Sequence, residues 1–469
     1  MNFRGIFYYL GWLSLPISLI SLLNIIFCYS FSYKTGLNSY FYVLILSLIF
    51  FLFTNFKFKK YIEIKKIDKL AFIIIGWFLL PIFILIPYLL SSHNLNLFSS
   101  YYESVSGFTG FGFSIFNNPV FIIEPLLLWR SFSQWVGGFY YLVTIVLVLS
   151  SDLIHFKPLN YIKFSKSNSS FKNNFFSTSI NILYCYILLS LLVLFILNLT
   201  NLNFFEKFNL MLSSVSSGGF YIKNYINIYH DLEKIAVSIC FLLSSFNIFI
   251  FYYLFKKDKI YNFKEDLNLS YLAFSIPLFL IIFFPSKLNF IDVFFSTVTS
   301  LSNSGLDYEN NNFLFSSLIV LLVTFVGGSI LSTTSGFKLI RLLFFIKKFS
   351  IETSRLLLPS RIIKKKIFGS KNNITNSDYF ISVLIFIFYF ILFIFSSLIL
   401  SFDQLAFSDI FKFIFLTLNN TLPTNYLDNS VSYADLNVIS NITILFLMIF
   451  SKAFFISILV IIKNFYWNR

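Results

Sequence analysis

The sequence contains few residues of the types that build disulfide frameworks, metal centres or catalytic sites. Only three of its 469 residues are cysteines, three are histidines, and 12% are charged. The cysteines all fall in apolar runs, so neither a disulfide scaffold nor a zinc knuckle is indicated. These cysteines are Cys28, Cys185 and Cys240. Each histidine stands alone near the end of an apolar run, which is typical of a membrane interface: His93, His155 and His230.

Two further kinds of site are missing from the sequence. It has no Gly-Lys-Ser or Gly-Lys-Thr run of the phosphate-binding type, so any control by a nucleotide requires another protein. Histidine, cysteine and acidic residues form no cluster of the kind that predicts a catalytic centre. The pattern argues against a membrane-embedded enzyme, and no cofactor is expected.

Apolar residues are abundant instead. They make up 57% of the chain, with 68 phenylalanines and a mean hydropathy of +0.80, whereas soluble domains contain roughly 45 to 50%. About 20 apolar residues span the ~30 Å hydrocarbon layer of a membrane as a helix. Ten such spans are predicted, the first as a retained helix and not a signal peptide: 6–29, 39–55, 70–92, 124–150, 178–200, 235–255, 268–285, 313–345 with an interruption, 378–402 and 438–463.

The net charge of +15 suggests a nucleic acid partner at first, but the positions of the charges indicate topology. Most of the 35 lysines and arginines cluster at the two termini and in residues 57–69, 157–172, 256–264 and 341–371. These clusters alternate with connections that carry little charge. Because positively charged loops stay in the cytoplasm, the clusters and both termini are predicted to be cytoplasmic, and no nucleic acid partner is expected.

One outer connection, "SVSGFTGFGFSIF" at residues 104–116, resembles three others: "FFEKFNLMLSSVSSGGF", "NFIDVFFSTVTSLSNSGL" and "FSDIFKFIFLTLNNTLP". The four align on what we call the register positions, Gly112, Gly219, Gly305 and Leu422. Thirteen places before each lies a polar or acidic residue that suits the start of a helix: Ser99, Glu206, Asp292 and Asp409. Small and polar residues recur just before the register positions.

Each unit therefore predicts a long helix, a short helix, a loop and another long helix. A helix of about 12 residues rises ~18 Å, roughly half the membrane, so the loop after it lies at membrane depth, where irregular backbone must be buried in protein or line water. Four such loops around one axis would form rings of carbonyl oxygens that replace the hydration shell of a monovalent cation. Glycine at a register position permits the backbone turn that this requires.

Three other readings stay open at this point. The small residues could serve tight helix packing. A cation-coupled secondary transporter of another fold could contain discontinuous helices, although such folds commonly have inverted repeats, whereas these four units all enter from one side. A degenerate, non-conducting membrane subunit would explain Leu422 at a register position.

At these residues the chain resembles the Trk/Ktr/HKT superfamily of potassium transporters, and within it the bacterial TrkH-type subunit. "ESVSGFTGFGFS" and "SSVSSGGF" resemble the first two pore loops, and "LLLWRSFSQWVGGFYYLV" the helix after the first loop. "FVGGSILSTTSGFKLIRLL" resembles the broken helix of the third unit, and "NNTLP" and "FYWNR" the fourth loop and the end of the chain. The resemblance runs from about residue 69 to the end, with the first two spans matching an extra helix pair.

The resemblance implies an all-α polytopic membrane protein with four fused helix–pore loop–helix units in a pseudo-fourfold arrangement plus an N-terminal helix pair. The units would be 69–175, 176–264, 265–372 and 373–469, after a helix pair and basic loop in 1–68. It implies potassium uptake across the bacterial inner membrane by a homodimer, with a cytoplasmic nucleotide-binding regulatory subunit as partner. Ion contacts would come from three residues of each loop: Gly110, Phe111 and Gly112; Ser217, Gly218 and Gly219; Asn303, Ser304 and Gly305; Asn420, Thr421 and Leu422.

The chain departs from the family pattern in three places. Leu422 and Thr424 replace glycines of the fourth loop, so strain or narrowing of that quadrant is expected, and the selectivity for K⁺ over Na⁺ stays open. The glycine-rich break of the third unit has become a hydroxyl-rich stretch that still suits a gate: Ser332, Thr333, Thr334, Ser335 and Gly336. Lys452 stands where the family has an arginine beneath the filter, and Phe454 replaces a nearby acidic residue. A lysine at the centre of a span faces a cavity or a partner, or its stem snorkels to the interface.

Overall fold

The computed structural model describes residues 2–34, 36–59, 65–116, 118–150, 171–220, 230–250, 264–283, 289–306, 314–357, 376–422 and 431–452. Within these ranges the chain is helical, with irregular connections and no strand. The all-helical prediction is confirmed. The predicted unit boundaries stay predictions: three of them fall within the first two turns of helices, and the fourth, 372/373, lies outside the described residues.

The helices follow one another in the order that the sequence pattern predicts. Six described helices are long and apolar enough to cross a membrane. The helices are α1 Phe3–Ser30, α2 Leu37–Phe58, α3 Lys66–Ile84, α4 Ile86–Leu89, α5 Leu97–Thr109, α6 Glu124–Ser150, α7 Phe171–Leu197, α8 Phe204–Ser216, α9 Asp231–Ser245, α10 Lys264–Phe283, α11 Phe290–Leu301, α12 Leu314–Val326, α13 Leu339–Leu357, α14 Asn376–Leu400, α15 Phe407–Leu418 and α16 Val438–Lys452. Single 3₁₀ turns occur at Pro119–Phe121, Ser401–Asp403 and Tyr433–Asp435.

The N-terminal pair α1 and α2 packs along most of its length and then rests on α3 and α6 of the first unit. Close approach is possible because Gly11 faces the Thr54 side chain. Ser14 reaches across the same interface and donates to the Ser47 carbonyl at 3.1 Å. Small residues at such a contact allow the helix backbones to approach each other in a membrane.

The four short helices, α5, α8, α11 and α15, are the predicted half-length elements, with 13, 13, 12 and 12 residues. Their N-caps lie three residues before the polar positions found in the sequence: Asn96, Asn203, Asn289 and Ala406. The aligned polar residues therefore occupy the first turn and not the cap itself. An acidic side chain there stabilises the positive end of the helix dipole.

The units close into a ring. The outgoing helix of the first unit, α6, packs on the short helix α8 of the second, α9 packs on α11, and α12 packs on α15. The outgoing helix of the fourth unit, α16, packs on α5 of the first. Because the fourth unit contacts the first in the same way as each unit contacts the next, the arrangement is pseudo-fourfold around a common centre.

Candidate pore site

All four short helices end in the same backbone geometry. The residue two places before each register position has a positive φ: Gly110 (77°), Ser217 (54°), Asn303 (61°) and Asn420 (56°). The amide of the following residue donates back five residues, and the distances are 3.0, 2.8, 3.0 and 2.9 Å in chain order. This is the hydrogen bond of a Schellman helix end, which needs a left-handed residue. The alignment of the four segments had shown the register positions but not this shared turn.

The four loops converge in space. Gly219 N of the second loop donates to Gly110 O of the first at 3.1 Å. The Asn420 amide of the fourth loop donates to Thr109 O at 2.9 Å. Asn303 of the third loop donates to Thr421 Oγ1 of the fourth at 3.3 Å. These contacts form a chain through all four loops, although their residues are up to 311 positions apart in sequence.

The register positions meet at the centre of this group. A β-carbon built on Gly112 would collide with the backbone of Gly219, and one built on Gly305 would lie 2.6 Å from Leu422 N. Gly112 and Gly305 have φ values of 87° and 78°, so these two positions require glycine for both conformation and space. Gly219 has no positive φ, but a β-carbon there would lie 2.7 Å from Phe111 O.

Leu422 lacks the backbone strain that was expected of it, and the expected narrowing of its quadrant stays a prediction. Its φ lies outside the left-handed region, so the expected backbone strain is not found. Its β-carbon lies 3.1 Å from the place of a β-carbon on Gly219 and 2.7 Å from the place of one on Gly305. The Leu422 side chain therefore fits close to these two positions because both are glycines without a β-carbon. Thr424 lies outside the described residues.

A buried ion pair supports the first loop. Arg130 Nε of α6 contacts Glu103 Oε1 of α5 at 3.1 Å, and the two side chains are only 4% and 0% exposed. Glu103 also accepts from Ser114 Oγ at 2.9 Å and from Ile115 N at 2.9 Å. The Arg130 guanidinium lies 3.9 Å from the ring centroid of Phe220, next to the second loop. This support was missed by sequence reasoning, although a carboxylate and an arginine within apolar helices were the signal.

The third unit contains the predicted interruption. The outgoing helix stops at Val326 and resumes at Leu339, and we call residues 327–338 the third-unit break. All five predicted gate residues lie in it, and the four hydroxyl residues among them are buried. Thr333 Oγ1 donates to Val215 O of the second unit at 3.0 Å.

Two buried lysines hold the third-unit break. Lys338 Nζ donates to Thr334 O at 2.6 Å and to Ser329 O at 3.1 Å, while Lys452 Nζ donates to Thr333 O at 3.0 Å. Lys452 is 2% exposed and its ammonium lies 4.6 Å from the ring centroid of Tyr141. The snorkelling alternative for Lys452 is therefore wrong. Lys338 was missed because it lies just before the basic cluster of residues 341–371 in the sequence. Phe454 and the closing residues 465–469 lie outside the described residues.

A second helix interruption was not predicted. The span expected over 235–255 is broken, because α9 ends at Ser245, Phe246 is extended (φ −81°, ψ 164°) and helical structure resumes at Phe249. Asn247 caps the new helix, its Oδ1 accepting from Phe249 N at 3.0 Å. We call residues 246–248 the second-unit break. Neither glycine nor proline marks it, and the signal was the helix-capping preference of asparagine after two serines.

Potential metal ligands are scattered. Within the described ranges no group of three His, Cys, Asp or Glu side chains is placed to hold a metal ion. The three cysteines are buried and unpaired with one another. The pore site consists instead of backbone carbonyls, hydroxyls and amides.

No family model matches the chain. An uncharacterized cation transporter of Methanocaldococcus jannaschii is 27% identical over 371 residues, which cover 77% of this chain and 76% of the relative. The Trk system potassium uptake protein TrkG of Escherichia coli is 25% identical over 436 residues, 87% of each chain. TrkH of Vibrio parahaemolyticus is 23% identical over 333 residues, 66% of this chain and 67% of the relative.

The crystal structure of the potassium transporter TrkH from Vibrio parahaemolyticus superposes on this chain with a TM-score of 0.84. The match covers 100% of both chains at 20% identity. The likeness shows that the two folds agree over their whole length. Together with the sequence relatives above, this shared fold supports the superfamily of Trk-type potassium transporters for this chain.

Proposed function

We propose that this protein takes up K⁺ across a membrane through a central pore between its four loops. The observation that carries the proposal is the convergence of four short helices with the same C-terminal turn on one group of residues. Two curated relatives are named potassium uptake proteins. Inward movement of K⁺ gains ~2.3 kcal/mol for each elementary charge per 100 mV.

The loops suit a dehydrated monovalent cation. Carbonyl rings replace the hydration shell of K⁺, and the C-terminal ends of four short helices add partial negative charge toward the same place. The three residues proposed in each loop, ending at the register position, supply the carbonyls. K⁺ is the transported ion, and no further cofactor is proposed.

The third-unit break and Lys452 are proposed as the gate below the loops. The hydroxyls of Ser332, Thr333 and Thr334 bond to backbone groups, and Lys338 and Lys452 donate to three carbonyls of the break. The Lys452 ammonium near the path would also shorten the time that K⁺ stays bound, because like charges repel.

The membrane setting and partners follow from charge and family resemblance. We propose a bacterial inner-membrane location with both termini cytoplasmic, which the basic clusters support. A homodimer and a cytoplasmic nucleotide-binding regulatory subunit are proposed from the resemblance. The basic helix α13, which follows the gate, would present Lys347, Lys348 and Arg355 on the cytoplasmic side.

A non-conducting subunit is the second candidate, and the crowding of the register positions by Leu422 favours it. Growth rescue at limiting K⁺ in cells that lack their own uptake systems separates the two. Rescue, together with Rb⁺ flux into vesicles that contain the purified protein, supports a conducting pore. Absence of both, with restoration by Leu422→Gly, would identify a degenerate subunit whose pore Leu422 has closed.

A further inference from the structure

The second-unit break and the third-unit break are hydrogen-bonded to each other. Ser329 N of the third-unit break donates to Ser245 O at the end of α9, at 2.9 Å. In the opposite direction, Ile248 N of the second-unit break donates to Leu331 O at 3.0 Å. The contact is close, since a β-carbon on Gly328 would lie 2.6 Å from Ser245 O. Each break thus satisfies backbone groups that the other has freed.

Two consecutive carboxylates in the first turn of α10 bind these same breaks. Glu265 Oε1 accepts from Ile330 N of the third-unit break at 3.1 Å. Asp266 Oδ1 accepts from Asn247 N of the second-unit break at 2.9 Å. A backbone amide freed by a helix break at membrane depth needs a partner inside the protein, and a side-chain carboxyl oxygen can accept its hydrogen bond.

We propose that Glu265 and Asp266 are positioning residues that couple the two breaks, so that the gate of the third unit moves only together with the second-unit break. The two carboxylates belong to adjacent residues of one helix. If one break moves and pulls α10 with it, the carboxyl bond from α10 to the other break is strained unless the other break moves too. The predicted effect on ion flux rests on the proposed potassium pore, whereas the predicted coupling of the two breaks does not.

Thiol labelling measures the coupling without any transport assay. In the full-length protein with the native cysteines replaced by alanine, single reporters are placed by Ser335→Cys in the third-unit break and by Ser245→Cys beside the second-unit break. Ser335 suits this use because its hydroxyl makes no hydrogen bond in the described structure. Labelling rates are compared for the parent, Glu265→Ala and Asp266→Ala in detergent.

The coupling predicts that each alanine variant accelerates labelling of both reporters by about tenfold, because loss of the carboxyl acceptor leaves a buried backbone amide without its partner. If Glu265→Ala affects only the Ser335→Cys reporter and Asp266→Ala only the Ser245→Cys reporter, or if neither rate changes, the proposal is wrong. Glu265→Gln keeps an acceptor oxygen and should return the rates most of the way to those of the parent.

Two controls separate coupling from a general loss of packing. Native Cys28, buried in α1, is kept as the only thiol in a third reporter chain, and its labelling should not change. If the labelling rate of Cys28 rose as much as those of the break reporters, the effect would be a general loss of packing and the specific coupling would be wrong. Glu352→Ala removes an exposed carboxylate of α13 that contacts Lys348 and Arg355 and should leave both break reporters at the parent rates.

Flux then shows whether the coupled breaks control conduction. In vesicles that conduct Rb⁺, Glu265→Ala and Asp266→Ala should change the rate in the same direction and to a similar extent, severalfold or more. Opposite effects would contradict a common movement. If no variant or parent conducts, the proposed pore fails, while the labelling result still decides whether the breaks are coupled.

Discussion

The first and fourth pore loops reach the same backbone conformation by different means. The first has Gly110 and Gly112, and the Glu103–Arg130 ion pair lies beside it. The fourth has no glycine at these places: Asn420 supplies the left-handed turn, and its amide ties the loop to the first one. Asparagine tolerates positive φ better than other residues with a β-carbon. The geometry of the four helix ends is thus more constant than the residues that form it.

The difference also shows that the four quadrants are not equivalent. Gly112 and Gly305 are held in left-handed conformations, whereas Gly219 and Leu422 are not. The two kinds of residue alternate around the ring, and Leu422 lies against two glycines that leave room for its side chain. A substitution is therefore expected to have an effect that depends on the loop.

The largest effect is expected in the first loop. Gly112→Ala adds a β-carbon at φ 87° that collides with Gly219, and uptake should fall to background in growth rescue and Rb⁺ flux. Gly36→Ala is a matched control, since Gly36 has a φ of 82° but no atom within 4 Å of the added carbon. Both variants have similar backbone strain, about 1 kcal/mol, so their difference measures crowding. Equal flux in both variants would contradict the assignment of Gly112 to the ion path.

A smaller but still large effect is expected from the support of the first loop. Arg130→Ala leaves Glu103 as an unpaired buried charge, which costs about 3 to 5 kcal/mol of stability. Arg355→Ala breaks an exposed pair with Glu352 and should leave the stability almost unchanged, because water and salt screen exposed pairs. Thermal unfolding in detergent measures both, and Rb⁺ flux should fall only in Arg130→Ala. Similar melting temperatures would show that the buried pair does not hold the loop.

A moderate effect is expected in the fourth loop. Asn420→Ala loses the 2.9 Å hydrogen bond to Thr109 O and should cost about 1 to 2 kcal/mol, with severalfold lower Rb⁺ flux or weaker preference for K⁺ over Na⁺. Asn94→Ala is the control, because Asn94 is exposed and has a similar φ of 51°. Should Asn94→Ala impair flux as strongly, the loss could not be assigned to the link between loops.

The smallest effect on transport is expected at Leu422. Since its backbone is not left-handed, Leu422→Gly relieves crowding without repairing strain, and Rb⁺ flux should rise by a few fold at most. Leu418→Gly, at the end of the same short helix and buried, tests whether loss of any leucine there has this result. A fall in flux for Leu422→Gly alone would mean that the side chain supports the pore.

Much of the fold was predictable from sequence because it rests on patterns that repeat locally. Long apolar runs predict membrane helices, and four aligned segments predict short helices that cannot cross. The polar residues Ser99, Glu206, Asp292 and Asp409 were expected at the starts of the short helices; they lie in the first turns, and the caps lie three residues earlier. The break after Val326 was also expected from its glycines and hydroxyl residues.

Other features depend on contacts between residues far apart in the chain. The break after Ser245 has no glycine or proline. It is stabilised because Asp266 and Leu331 accept hydrogen bonds from its amides and Ser329 N donates to Ser245 O. The Glu103–Arg130 pair requires α5 and α6 to bury two charges against each other. Such pairings have no local period that a sequence pattern would show.

The sequence by itself determined the helical class, the membrane setting, the four repeats and the positions of the loops, because hydropathy and helix-end preferences act over a few neighbouring residues. Only the tertiary structure decided that Leu422 is crowded but unstrained, that Lys452 faces inward and that two helix breaks share a pair of carboxylates. These outcomes depend on which backbone groups meet when the ring closes, and that closure joins residues hundreds of positions apart.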